Sequence, residues 1–226
     1  MRAVLIGLGG IGSHLVEPLA RTLVFSKSER APKTLILVDG DTYEKKNRQR
    51  QRFDIAANKA EATRGWLAPL FPDIQVEAKP HFISEDNIFA LIREGDVVLL
   101  AVDNHATRKL ISEYAETLGS VLVISGGNEL YDGNIQVYEK SAGTALLPPL
   151  TWMHPEIEHP NDRNPAELSC EELAASGSTQ LLAVNNMAAA LMLNALLLWL
   201  DGKTPPYHEL YFDISTGNVR PAKVKH

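Results

Sequence analysis

Gly7-Leu8-Gly9-Gly10-Ile11-Gly12-Ser13 lies between a short apolar run, Arg2 to Ile6, and a segment, His14 to Val24, whose apolar residues recur at helical spacing. The run predicts a strand, the segment a helix, and the glycines the turn that joins them. A helix that opens on a glycine turn has backbone N–H groups with no partner inside the helix, backed by the positive end of the helix dipole. That combination holds a phosphate group. The turn points to nucleotide binding and does not separate NAD from ATP.

Working outward, Thr34 to Val38 is a second continuous apolar run with β-branched content, ending in Asp39. Asn58 to Leu70 predicts a helix closed by Pro72, Ile74 to Ala78 a third strand, and Glu85 to Arg93 a short helix. Asp96 to Ala101 is a fourth strand, His105 to Leu118 a helix and Ser120 to Ser125 a fifth strand. Strands that read as unbroken apolar runs and alternate with helices indicate an α/β fold, a doubly wound, mostly parallel, Rossmann-like sheet. After Gly126 and Gly127 the pattern changes. Gly133 to Glu139 alternates like a half-exposed strand, and Ala145 to Pro165, rich in Pro, His and Asp, is expected to be a long mobile loop. Cys170 to Ser176 predicts a short helix, Gln180 to Leu200 a long apolar one and Tyr207 to Asp213 a late strand. The expectation is one domain over 1–226, with a nucleotide-binding core at 1–125 and, at 126–226, an extension of antiparallel strands and a long helix for acceptor binding and dimerisation.

Composition narrows the classes. With 226 residues, 45% apolar and 22% charged, the chain can bury one large core. A net charge of −6 disfavours nucleic acid and anionic membrane as partners. The single cysteine, Cys170, cannot form an internal disulfide or a CxxC zinc pair, which points to the cytoplasm and to no zinc. Leu181 to Leu200 approaches membrane-spanning length but carries Asn185, Asn186 and Asn194, so a buried helix is expected.

Asp39 follows the second strand, where an acidic residue takes ribose hydroxyls. The block behind it, Asp39-Gly40-Asp41-Thr42-Tyr43-Glu44-Lys45-Lys46-Asn47-Arg48-Gln49-Arg50-Gln51, is denser in polar and cationic groups than hydride transfer requires. A triphosphate does call for such groups, because Arg offers bidentate donors to phosphate and Asn donates without adding charge.

Together with two later motifs, these residues resemble the ThiF/MoeB/HesA adenylyltransferases, relatives of the ubiquitin-activating enzymes. The family's glycine loop, G-x-G-G-x-G-S, matches Gly7 to Ser13 in full. Its D-x-D-x-V-x-x-S-N-L-x-R-Q motif matches at Asp39, Asp41, Asn47, Arg50 and Gln51, with Tyr43, Lys46 and Arg48 replacing the valine, serine and leucine. Its helix lysine falls on Lys59, and its D-N-x-x-x-R motif on Asp103, Asn104 and Arg108. The resemblance implies activation of an acceptor's C-terminal carboxylate by ATP and Mg²⁺. It places Gly7, Gly9, Gly10, Gly12, Asp41, Gln51 and Asn104 at the nucleotide and Asp39 on the ribose. Asn47, Arg50 and Lys59 then contact the phosphates, with Arg50, Lys59 and Asp103 catalytic and Asp103 holding the metal. Arg108 either joins the site or pairs and caps within the fold, and Asp103-Asn104 could equally cap the helix at His105. The implied partners are a small protein or peptide with a free C-terminus and a second copy of the chain.

Cys170 matches a region where some members carry the acceptor as a thioester or persulfide; Glu167, Glu171 and Glu172 around it raise its pKa and favour a packed residue instead. His154, His159 and Asp162 lack metal-site spacing and are expected in a loop. Members acting on sulfur carriers generally have two CxxC pairs and an N-terminal helix bearing an arginine for the partner's nucleotide. This chain resembles a minimal stand-alone member without the zinc site, and Arg48, Arg52 and Arg64 are the candidates for a trans-acting arginine. Two rival readings stay open: an NAD(P)-dependent Rossmann oxidoreductase, and a nucleotide-binding partner subunit without turnover.

Overall fold

The structure, a computed structural model, describes residues 1–43, 57–168 and 181–222. Its centre is a parallel sheet of β1 (Ala3–Ile6), β2 (Thr34–Val38), β3 (Gln75–Lys79), β4 (Val97–Leu100) and β5 (Val121–Asn128), in the order β3-β2-β1-β4-β5. Ala3 pairs with Leu35 on one side and with Val97 on the other. Both faces are covered, which is why the strands read as apolar runs. Leu5, Leu37 and Leu99 pack with α1 (Gly10–Phe25), α2 (Lys59–Leu70) and α6 (Leu182–Leu200). Val4, Ile36 and Leu100 pack with α3 (Ile88–Leu91), α4 (His105–Thr117) and α5 (Pro155–Glu158). The expected doubly wound arrangement is therefore present. The chain leaves β1 toward β2 and leaves β4 toward β5, so the two connections diverge and open a crevice at the carboxyl ends of β1 and β4.

β4 ends at Leu100, opposite Ser125, whereas β5 continues through Gly126 to Asn128. From there the sheet becomes antiparallel: β6 (Asp132–Ser141), β8 (Glu209–Asp213) and β9 (Asn218–Ala222) follow in order, and β7 (Thr144–Ala145) pairs with the end of β6. The division expected at 125/126 thus falls inside β5, where its β4 neighbour stops. Sequence reasoning missed β9. It is an exposed edge strand containing Pro221, with no alternation to reveal it.

Three boundaries differ from expectation. α1 begins at Gly10 rather than His14, so the last two glycines of the turn belong to the first helical turn. Only Ile88–Leu91 of the Glu85–Arg93 segment is α-helical. The segment 145–165, expected as a mobile loop, is pinned to the body of the protein. Leu147, Leu150 and Ile157 are buried. Gln136 donates to the Leu150 carbonyl (3.0 Å), Leu150 N–H to Ser112 Oγ (3.1 Å) and Asn164 Nδ2 to the Ile83 carbonyl (3.1 Å). Its prolines and aspartates mark turns, while widely spaced apolar residues fasten it down.

By length and composition alone α6 matches a membrane span. Val184, Ala188, Met192, Ala195 and Leu196 are nevertheless wholly buried in the core beneath β5 and β6 and beside α1. The buried Asn185 accepts from Asn128 Nδ2 (3.1 Å) and ties this helix to the end of β5.

Candidate functional site

The glycine turn is built by close approach. Gly7 has φ +88°, and a Cβ there would sit 2.6 Å from the Ala101 carbonyl oxygen; a Cβ on Gly12 would sit 1.9 Å from the Gly7 carbonyl oxygen. Only glycine fits either place. The result sets the start of α1 directly behind the turn, with Gly9 as an N-cap that offers no side-chain bond to the helix amides.

Asp39 braces this turn from the end of β2. Its carboxylate accepts from Leu8 N–H (2.6 Å) and Asp41 N–H (2.8 Å). Burial raises its pKa against the attraction of Lys59. Asp41, in turn, holds Lys59 Nζ at 2.8 Å. Lys59 is only 6% exposed and stands on the first turn of α2, where the helix dipole opposes a cation. Burial would lower its pKa, but Asp39 and Asp41 outweigh it and hold the ammonium above its ordinary range. Asn58 fastens the pair by capping α2 through Ala60 N–H and Glu61 N–H and by donating to the carbonyls of Asp39 (2.9 Å) and Asp41 (3.1 Å).

Across the crevice, Asp103 follows β4 and is exposed; its carboxylate makes no hydrogen bond or ion pair among the described residues. Asn104 caps α4 by accepting from Thr107 N–H (2.8 Å). Asp162, from the pinned segment, accepts from His105 N–H (2.7 Å) and Ala106 N–H (2.8 Å). The amides that open α4 are therefore occupied, whereas those that open α1 have no side-chain cap among the described residues and are left for an anion.

Gly7, Gly9, Gly10, Asp39, Asp41, Lys59, Asp103 and Asn104 all line one cavity of about 850 Å³, within the range of small-molecule sites. Gly12 stands behind the turn and shapes it. Arg64 lies apart, its Nε donating to the Val76 carbonyl (3.2 Å). Asn47, Arg48, Arg50, Gln51 and Arg52, together with Cys170 and the helix expected at Cys170 to Ser176, fall outside the described residues.

Arg108 has a structural post. Its Nη2 donates to the carbonyls of Val102 (3.0 Å) and Gly126 (3.0 Å), closing the gap where β4 ends and β5 continues. Desolvation lowers its pKa, but a guanidinium stays protonated. A Cβ on Gly127 would come within 2.6 Å of that Nη2.

The far end of the cavity was not foreseen. His154 lies between Glu156 (2.7 Å) and Glu209 (3.1 Å), and Asn134 Nδ2 donates to Glu209 (2.7 Å). The bond to Glu209 raises the His154 pKa. Burial alone would raise Glu209, but donors from His154, Asn134 and Tyr211 bring it below its ordinary range. The Tyr211 phenol is pushed up to about 12 by burial and by Glu209. The one sequence signal was the polar alternation of Asp132, Asn134 and Gln136 along β6, which marks a polar sheet face.

The model of the ThiF family matches residues 1–226. The chain belongs to the ThiF family. Among its relatives, the SAMP-activating enzyme E1 of Haloferax volcanii is 32% identical over 151 residues, 65% of this chain and 50% of that protein. The sulfur carrier protein adenylyltransferase of Thermus thermophilus is 28% identical over 227 residues, 98% of this chain and 78% of that protein. The chain thus spans about half the length of some of the curated relatives it matches. The crystal structure of E. coli MccB with ATP has the same fold, with a TM-score of 0.72 at 18% identity over 98% of this chain and 63% of that one.

Proposed function

We propose that this ThiF-family chain is an ATP-dependent adenylyltransferase that activates the C-terminal carboxylate of a small ubiquitin-like or sulfur-carrier-like protein, or of a peptide, as an acyl-adenylate. The observation that carries the reading is one cavity with a free helix start and a buried cation, Lys59, on one wall and an unpaired carboxylate, Asp103, on the other. Hydride transfer needs neither group; a polyphosphate and its metal need both.

The donor set fits ATP and Mg²⁺. The turn has no Cβ to obstruct a phosphate, and the α1 amides and Lys59 supply positive charge. Each oxygen of Asp39 already accepts one amide and keeps a lone pair for a ribose hydroxyl. Asp103 offers the hard oxygen that Mg²⁺ takes alongside phosphate and water; the ion when bound neutralises charge that develops on the departing pyrophosphate. In the reaction an acceptor carboxylate oxygen bonds to the α-phosphorus, the bond to the bridging oxygen breaks, and pyrophosphate leaves. The chain's own residues orient the triphosphate for that attack. A homodimer and a cytoplasmic setting complete the proposal: α6 carries an exposed face that suits a second copy, and the only cysteine is Cys170.

ATP–pyrophosphate exchange tests the reading, with a set of small proteins and peptides ending in Gly-Gly as the acceptors. Exchange that depends on the acceptor and disappears in Asp103→Ala, with ATP binding retained by calorimetry, supports it. Binding of NADH in place of ATP, or ATP binding without exchange for every acceptor, overturns it.

A further inference from the structure

Asp103 follows β4 and stands two residues before the start of α4, so the amides of that helix compete with a metal for its carboxylate. An aspartate in such a place commonly turns back onto the backbone N–H groups two and three residues on. Here those groups belong to His105 and Ala106. Neither goes to Asp103. Asp162 takes both, with His105 N–H at 2.7 Å from one carboxylate oxygen and Ala106 N–H at 2.8 Å from the other. Asn104 accepts from Thr107 N–H, so the first three amides of α4 are occupied and none remains to draw Asp103 away.

The two carboxylates differ in how they are held. Asp162 is exposed, yet the chain on either side of it is fixed: Ile157 is buried, and so is Asn164, whose Nδ2 donates to the Ile83 carbonyl (3.1 Å). Ile157 and Asn164 also line the cavity, so Asp162 is delivered to α4 by a segment that walls the site. Its charge is met by two amides and by the positive end of the α4 dipole. Asp103 has no such partner, being exposed and without a hydrogen bond or ion pair among the described residues. The two share one neighbourhood, since both counter the lowering that burial imposes on the Arg108 pKa.

We propose that Asp162 is a positioning residue for the metal-holding carboxylate: by occupying the His105 and Ala106 amides, it keeps Asp103 from closing onto its own helix and leaves that carboxylate free for a divalent cation. This rests on the adenylation reading, which gives Asp103 its metal, and adds to it a residue from the pinned segment at 145–165. Without Asp162 the two amides pass to the neighbouring free acceptor, Asp103. Each hydrogen bond it then accepts withdraws a lone pair from the cation. Asp162 therefore acts through Asp103 and touches neither the metal nor the nucleotide.

Electron paramagnetic resonance of Mn²⁺, which takes the same oxygen ligands as Mg²⁺, tests this on the full chain with α,β-methylene-ATP bound. Asp162→Ala should weaken Mn²⁺ binding about tenfold, the lower end of the range for the loss of a residue that orients a metal ligand. Calorimetry of the metal-free nucleotide should show no matching loss. Asp162→Asn keeps an oxygen for one amide but no charge, and should recover most of the Mn²⁺ affinity. In an Asp103→Ala chain, adding Asp162→Ala should change Mn²⁺ binding little, because the residue it acts through is gone. Equal Mn²⁺ affinity in the wild-type and Asp162→Ala chains overturns the proposal. So does an Asp162→Asn chain as weak as the alanine one, or a loss that persists undiminished in the Asp103→Ala background, since either makes Asp162 act by its own charge. Absence of nucleotide binding, or Mn²⁺ affinity untouched by Asp103→Ala, removes the adenylation reading and this assignment with it. Nucleotide binding and Asp103-dependent Mn²⁺ binding that ignore Asp162 remove the assignment alone.

Discussion

At the scale of single residues, charge placement decides the site. Lys59 is buried in a pocket that two aspartates make anionic, and its removal leaves Asp39 and Asp41 without their cation. Lys59→Met should therefore cost about 1 to 3 kcal/mol of stability, the range for an abandoned buried partner, and weaken ATP binding as well; denaturant melts and calorimetry measure the two separately. His154 gives a pH signature. Its folded-state pKa lies above the ordinary 6.5, so its contribution is complete below that pH and fades as pH rises through the folded value. Glu156 and Glu209 are held below the ordinary 4.5, so theirs is complete above that pH and fades as pH falls through the folded values. The cluster is therefore strongest between about pH 4.5 and 6.5. The melting temperature lost in His154→Gln should be largest near pH 6 and shrink by pH 9; a deficit independent of pH would mean packing alone. The local motifs led to Asp39, Asp41, Lys59 and Asp103, because each is adjacent in sequence to a strand end or helix start that fixes its place. His154 and Glu209 were not legible, since 55 residues separate them and only the sheet's register joins them.

At the scale of elements, the strand-end glycines matter more than their helix or strand propensity. β5 keeps its antiparallel neighbour β6 throughout but loses its parallel neighbour β4 before Gly126 and Gly127, and Arg108 fills the gap with two main-chain bonds. Gly127→Ala would drive a methyl group into the guanidinium, at 2.6 Å from Nη2. Overpacking of this kind costs about 1 to 3 kcal/mol. The variant should melt earlier and lose acceptor-dependent exchange, with ATP affinity nearly unchanged because the glycine turn is untouched; isothermal titration and exchange assays separate those effects. The parallel core was legible because burial on both faces leaves unbroken apolar runs. The pinned segment at 145–165 was not, because its buried residues Leu147, Leu150 and Ile157 are too widely spaced to make a period and its hydrogen bonds to Gln136, Ser112 and Ile83 carry no local pattern.

For the whole molecule, α6 poses the remaining question of what covers its outer side. Leu182 and Leu197 are exposed and share a stripe with Ala190, Asn186 and Asn194 at helical spacing, while the opposite side is sealed in the core. The stripe runs about 22 Å at 1.5 Å per residue. A face of that length and one helix wide falls short of the roughly 800 Å² per partner of a stable contact, so neighbouring surface has to share it. Phe25, 71% exposed at the end of α1, is the natural contributor, since Ser28 bonds to the Leu200 carbonyl (2.5 Å) and holds the two helix ends together. A two-fold contact built from the stripe and Phe25 pairs each patch with its own copy. Leu197→Glu and Phe25→Glu should each convert a dimer into a species of half the mass in sedimentation equilibrium, without lowering the secondary-structure signal. A wild-type chain that sediments as a monomer at tens of micromolar, or a dimer that survives both substitutions, would place the subunit contact elsewhere or remove it.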